Sequence, residues 1–156
     1  MLSTSDHIYK NFKLVVNSVK AELAKKGVAI PRQNKDGSVN IDRFKILKAS
    51  NGFYKIVDFK GDTLADKINL PQTAAVLANG LALGKWLDLE IYNADREYGF
   101  KLFEEQLYKK NAVRSLKNNN IDRADMLFTR SKIAHFKVET AKKTIMSSFE
   151  KLRRLN

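Results

Sequence analysis

The stretch "FKILKASNGFYKIVDFKGDTLADKINL", Phe44 to Leu70, decides the fold. Two runs rich in β-branched and aromatic residues flank Asn51-Gly52, the pair best suited to a two-residue hairpin turn because both residues tolerate positive φ. With Asn51 and Gly52 as the central pair, Leu47 is expected to face Ile56, Ile46 to face Val57 and Phe44 to face Phe59. The same register sets Lys45 opposite Asp58, a favourable pair, and Lys48 opposite Lys55 beside Phe53 and Tyr54. Basic residues among aromatics there could stack bases, although a solvated sheet edge is the simpler reading. A second turn at Lys60-Gly61 allows a third strand from about Thr63 to Ile68, giving a three-stranded antiparallel β-meander. Two strands alone are marginal in water, whereas three with a covering helix are not.

Helices are expected on both sides. Ser5 or Thr4 can cap an N-terminal helix whose apolar residues Ile8, Phe12, Val15, Val16, Val19 and Leu23 recur at three- and four-residue steps until Gly27. "PRQNKDGSVN" then reads as a polar loop with an Asp36-Gly37 turn, lacking the spaced acids and closing Glu of a calcium loop. After the meander, Pro71 suits the first turn of a short helix and Gly84 its end. Asp88 can cap a long helix to about Lys117, and Asn120 another from Ile121 nearly to the C-terminus. The link "KNNN" is short, so the two long helices should fold back on each other as an antiparallel hairpin. From Ala124, steps of three and four run through Leu127, Ser131, Ala134, Val138, Ala141, Ile145, Ser148, Leu152 and Leu155, a heptad seam of mostly small residues that implies close helix approach.

The fold class expected is therefore α+β: an N-terminal helix, a three-stranded meander, a short helix and a long helical hairpin. Residues 1–86 would form the helix-plus-meander module and 87–156 the hairpin, within one continuous domain. At 156 residues with 44% hydrophobic content, the chain can bury a core of its own.

"NGLALGKW", Asn79 to Trp86, imitates a phosphate-binding loop. A P-loop needs four residues between its glycines and a Ser or Thr after the Lys. Here three residues separate Gly80 from Gly84, and Trp86 follows Lys85, so a helix closed by a glycine cap is the expectation.

Charge and chemistry bound the function. The net charge is +12, with both ends basic: residues 1–70 carry 13 Lys/Arg against 7 Asp/Glu, and residues 119–156 carry 9 against 4. Such a chain favours acidic partners without specifying one. On the hairpin, Glu90, Glu97 and Glu104 repeat every seven residues, as do Arg123, Arg130 and Lys137, so Glu104 is expected near Lys137 and Glu90 near Lys151. Lys109, Lys110, Arg114, Lys117 and Arg123 cluster at the hairpin tip with few acids and are the candidate phosphate contacts. Phe100, Phe103, Phe128 and Phe136 fall outside the seam and form the candidate protein interface.

No catalytic, cofactor or metal residue is expected. Cysteine is absent, and His7 and His135 lie far apart without metal-spaced carboxylates, so His135 reads as a packing or edge residue. Asp58, Asp62 and Asp66 fall in the meander and serve its turns, while Glu104 and Glu105 are adjacent and point to different sides of a helix. The longest weakly polar run, Thr73 to Leu83, is too short to span a bilayer, and "MLSTSDHIYKNFK" lacks the layout of a secretion signal.

The block from Phe44 to Lys85, followed by "DREYGFKLFEEQLYKK" and a charged helical hairpin, resembles small uncharacterised proteins encoded by large tailed phages of marine bacteria. The resemblance covers roughly residues 44–150 as a layout, and transfers no functional residue. It implies a viral protein found in the virion or the host cytoplasm and not secreted. The expectation is a non-enzymatic interaction protein, a structural or accessory virion component that packs through its hairpin on other protein subunits, either virion proteins or further copies of itself, with no cofactor, membrane or small-molecule substrate. The alternative is a nucleic-acid-binding protein acting through its basic patches.

Overall fold

The computed structural model describes residues 32–154. The expected N-terminal helix lies outside the described residues. Five strands, β1 Arg32–Gln33, β2 Val39–Ile41, β3 Phe44–Lys48, β4 Tyr54–Val57 and β5 Thr63–Ile68, form one antiparallel sheet in sequence order. Three helices follow: α1 Pro71–Ala82, α2 Leu89–Lys117 and α3 Ile121–Arg154. The α+β class and the helical hairpin stand, while the meander of three strands is extended by β1 and β2 on the edge of β3.

One turn chemistry is used three times. In Asn34–Ser38, Ala49–Phe53 and Asp58–Asp62, the first and fifth residues pair across a three-residue loop, with backbone N–H donated to the opposing carbonyl at 2.8–2.9 Å. The loop closes on a glycine in the left-handed region: Gly37 at φ 88°, Gly52 at φ 90° and Gly61 at φ 90°. This is a three-residue hairpin loop whose glycine forms a bulge, and it corrects the expected two-residue Asn51-Gly52 turn. Asn51 Oδ1 accepts from Phe53 N at 3.1 Å across this loop.

The extra loop residue moves the register by one. Ile46 faces Ile56, Leu47 faces Lys55, Lys45 faces Val57 and Lys48 faces Tyr54. The expected pairs Leu47–Ile56, Ile46–Val57, Phe44–Phe59, Lys45–Asp58 and Lys48–Lys55 are therefore not formed. Hydrophobic pattern decides the outcome, because a one-residue slip exchanges the faces of a strand. In the observed register Phe44, Ile46, Tyr54 and Ile56 all enter the core. Full burial of each Ile is worth roughly 1.5–3 kcal/mol. Phe59, set free in its loop, is exposed.

On β5 the buried residues Ala65 and Ile68 are three apart, which an ideal strand would place on opposite faces. Three residues of β4, Tyr54 to Ile56, oppose four of β5, Ala65 to Ile68, and the irregularity contains Lys67 at φ 52°. The bulge restores both apolar residues to one face.

Alanine-rich α1 covers that face with Ala74, Ala75, Leu77 and Ala78. Pro71 occupies its first turn, and it ends as expected at Gly84, φ 80°, where Gly84 N donates to Leu81 O and Lys85 N to Gly80 O. That pair of bonds is a Schellman cap, so of the two glycines of the apparent phosphate loop Gly80 lies inside the helix and Gly84 closes it. The hairpin joins the core cluster through Ile91 and Phe149 at its open end.

Candidate interaction surfaces of the helical hairpin

Both long helices begin where the expected caps stand. Asp88 Oδ1 accepts from Ile91 N at 3.2 Å, and Asn120 Oδ1 accepts from Arg123 N at 3.2 Å. Asn119 at φ 61° makes the reversal, with Asn119 N donating to Leu116 O and Asn120 N to Ser115 O.

The seam of α3 is buried as expected through Ala124, Leu127, Ser131, Ala134, Val138, Ala141 and Ile145. Toward the open end the contact passes to Phe149, which is buried while Ser148 is half-exposed. On α2 the facing residues include Glu105, Ala112 and Ser115. Ser131 Oγ donates to the Glu105 carbonyl at 3.2 Å, a contact that small side chains permit and that sets residue 131 level with residue 105. Glu105 Oε1 lies 3.3 Å from Lys109 Nζ and 3.1 Å from His135 Nδ1, so a nearly buried carboxylate is held from both helices. His135 is thus an edge residue with a polar partner.

Glu104, pointing elsewhere, accepts from Lys101 Nζ at 3.1 Å and holds the Lys101 ammonium above its ordinary pKa. Glu104 and Lys137 line one cleft between the helices, so they are neighbours as expected, but among the described residues neither Glu104–Lys137 nor Glu90–Lys151 comes within ion-pair distance. Glu104 is taken instead by Lys101, three residues back along its own helix.

At the open end, the buried carboxylate of Asp95 fixes the hairpin to the sheet. Asn69 N and Leu70 N donate to it at 2.7 and 3.0 Å, Thr73 Oγ1 at 2.7 Å and Asn69 Nδ2 at 3.2 Å. Sequence reading missed this residue. Tyr92 adds a second tie, its hydroxyl donating to Asp66 O at 2.8 Å.

The outer edges of the hairpin carry apolar rows. On α2, Phe100 (62% exposed), Phe103 (64%) and Leu107 follow steps of three and four on the side away from the seam. On α3, Met126, Ile133 and Phe136 (70%) follow at steps of seven and three, with Ile133 also at the rim of a groove shared with Lys101, Glu104 and Tyr108 of α2. Phe100, Phe103 and Phe136 are therefore exposed as expected, on two opposite edges and not as one patch. Phe128 is half-buried and belongs to neither row. Trp86, at 95% exposure in the α1–α2 link, was not singled out, because nothing local distinguishes an exposed tryptophan from a buried one.

The five candidate phosphate contacts do not converge. Arg114 and Arg123 line one cleft at the tip together with Asn111, Ser115, Asn118 and Asn120, about 510 Å³ in volume. Lys109 is turned toward Glu105, and Lys110 and Lys117 are exposed and do not line the cleft. Among the described residues no group of three or more His, Cys, Asp or Glu is placed to hold a metal ion. No described helix is long and apolar enough to cross a membrane.

Comparison with known proteins finds no matching family model, no matching curated protein and no matching solved structure.

Proposed function

We propose that this chain is a non-enzymatic interaction protein, a structural or accessory component of a phage particle, which docks on protein subunits through its helical hairpin. The observation that carries the docking role is the pair of apolar rows, with Phe100, Phe103 and Phe136 each more than half exposed on an arm whose own core is already closed. Large aromatic side chains at helical spacing on a free face lose favourable burial unless a partner covers them. The phage setting is carried by the resemblance of residues 44–150. The test is recovery of partner proteins by the tagged chain from lysates of phage-infected cells. Phe100→Asp combined with Phe103→Asp should abolish that recovery while circular dichroism stays native; unchanged recovery would remove the rows from the interface.

A second reading rests on the tip cleft. Arg114 and Arg123 stand together there, and among the described residues neither forms an ion pair. Two guanidinium groups with neighbouring amides suit a backbone phosphate of nucleic acid. A titration with unrelated DNA and RNA duplexes tests it: steep loss of affinity with salt, abolished by Arg114→Glu with Arg123→Glu, would favour this reading.

A further inference from the structure

The two apolar rows lie at the same height on opposite edges of the hairpin. Ser131 bonds the Glu105 carbonyl, so residues 105 and 131 are level. Both helices rise equally per residue and run in opposite directions. Counting from that contact, Phe103 stands within about one helical turn of the height of Ile133, Phe100 of Phe136, and Arg114 of Asp122.

We propose that the occupant of each row is the complementary row of a second copy of this chain, so that α2 of one copy packs antiparallel on α3 of the next. The proposal rests on the docking role of the rows and names their partner. A neighbour placed beside the hairpin with no axial shift brings Phe100 onto Phe136 and Phe103 onto Ile133. The charges agree with that register: Arg114 meets Asp122 of the neighbouring copy, and Lys110 approaches its Asp125. Exposed pairs of this kind select register and partner more than they add affinity. Among the described residues none of these four charged side chains has an ion-pair partner within its own chain.

Because the two rows are different surfaces on opposite edges, the contact is heterologous. It cannot be satisfied at both edges by two copies. Heterologous contacts form rings when the rotation closes and filaments when it does not. With no axial shift all hairpin tips lie at one end, and a rotation that closes gives a ring of at least three copies.

The experiment uses the full chain and two double variants, Phe100→Asp/Phe103→Asp and Ile133→Asp/Phe136→Asp, measured by light scattering across a concentration series. The native chain should give a discrete species of at least three times 17.8 kDa. Each double variant should be a folded monomer, and an equal mixture of the two should form a one-to-one dimer, since one intact α2 row meets one intact α3 row. Arg114→Asp alone should weaken self-association at least tenfold, and adding Asp122→Arg to the same chain should restore it. A native chain that stays monomeric at high micromolar concentration, a two-fold dimer, or a mixture that stays monomeric would each overturn the proposal. If the native chain is monomeric because residues 1–31 cover a row, cross-links from Lys10, Lys13 or Lys20 to Lys110 would identify that occupant, and self-assembly would be rejected. The docking role is judged separately, by partner recovery from infected-cell lysates.

Discussion

The hydroxyl of Thr73, in the first turn of α1, donates to the carboxylate of Asp95, two turns into α2, at 2.7 Å. Asp95 thereby caps a helix to which it does not belong, at the end where the aligned peptide dipoles favour a negative charge. Asp95→Ala would strand the Thr73 hydroxyl and the amides of Asn69 and Leu70. We expect it to cost roughly 3–5 kcal/mol in urea unfolding, with Asp95→Asn costing less, because buried donors without acceptors carry their full desolvation penalty. A loss below about 1 kcal/mol for the alanine variant would show that the tie contributes little.

Gly99 lies against the Asn69 side chain, which fills the space a Cβ would need. Gly99→Ala therefore has to push Asn69 off Asp95, even though alanine is the better helix former. The expected sign is destabilising, by about 1–3 kcal/mol in thermal or urea unfolding. A stabilised Gly99→Ala protein would mean that Asn69 moves at no cost.

Gly52 and Gly80 make an opposed pair. A Cβ at either meets nothing within 4 Å, so sterics with neighbours do not distinguish them. Gly52 sits at φ 90°, and Gly52→Ala should destabilise by about 1–2 kcal/mol. Gly80 is inside α1, and Gly80→Ala should stabilise by about 0.5–1 kcal/mol. Effects of the same sign in both would count against the turn geometry.

Ala112 is fully buried on the hairpin seam. Ala112→Leu inserts three carbons into a fully buried site, and should cost about 1–3 kcal/mol by overpacking. Ala112→Ser should be milder. Equal tolerance of Leu and Ser, measured by unfolding midpoints, would show a looser seam.

Asp36 provides a pH signature. The Ser38 hydroxyl and the Ser38 amide donate to its carboxylate, and Lys45 Nζ lies 3.9 Å away, which together hold its pKa below the ordinary 3.8. A folded value below the unfolded one means that the contribution to stability is present above 3.8 and lost as pH falls through the folded value. Carboxyl titration by NMR should give a midpoint under 3.8, and Ser38→Ala should move it upward. An unchanged midpoint in that variant would remove the hydroxyl as the cause.

The features legible in the sequence are those whose chemistry is local. Pro71, Gly84, Asp88 and Asn120 mark helix ends through groups within a few residues, and each end stands where the residue types place it. The strand Thr63–Ile68 was equally readable. The hairpin register was not, because Asn51-Gly52 satisfies both a two-residue and a three-residue loop, and only the shared burial of Ile46 and Ile56 separates them. β1 and β2 escaped notice as two- and three-residue strands, although Lys35-Asp36-Gly37 has the same final glycine as the two recognised turns. Asp95 escaped for a different reason. Its donors lie 22 to 26 residues away, and nothing in the sequence distinguishes it from an exposed helix acid.

The strand order, in which every strand pairs with its immediate predecessor, has a kinetic consequence. Each new pairing closes a loop of only two or three residues, and the helical hairpin closes across a comparably short link, so little chain entropy is lost before contacts form. Low contact order of this kind favours fast folding. During synthesis the sheet can add one strand at a time behind the ribosome, long before α3 is complete. The last 34-residue helix then arrives at a surface already built, and Phe149, near its far end, closes the core.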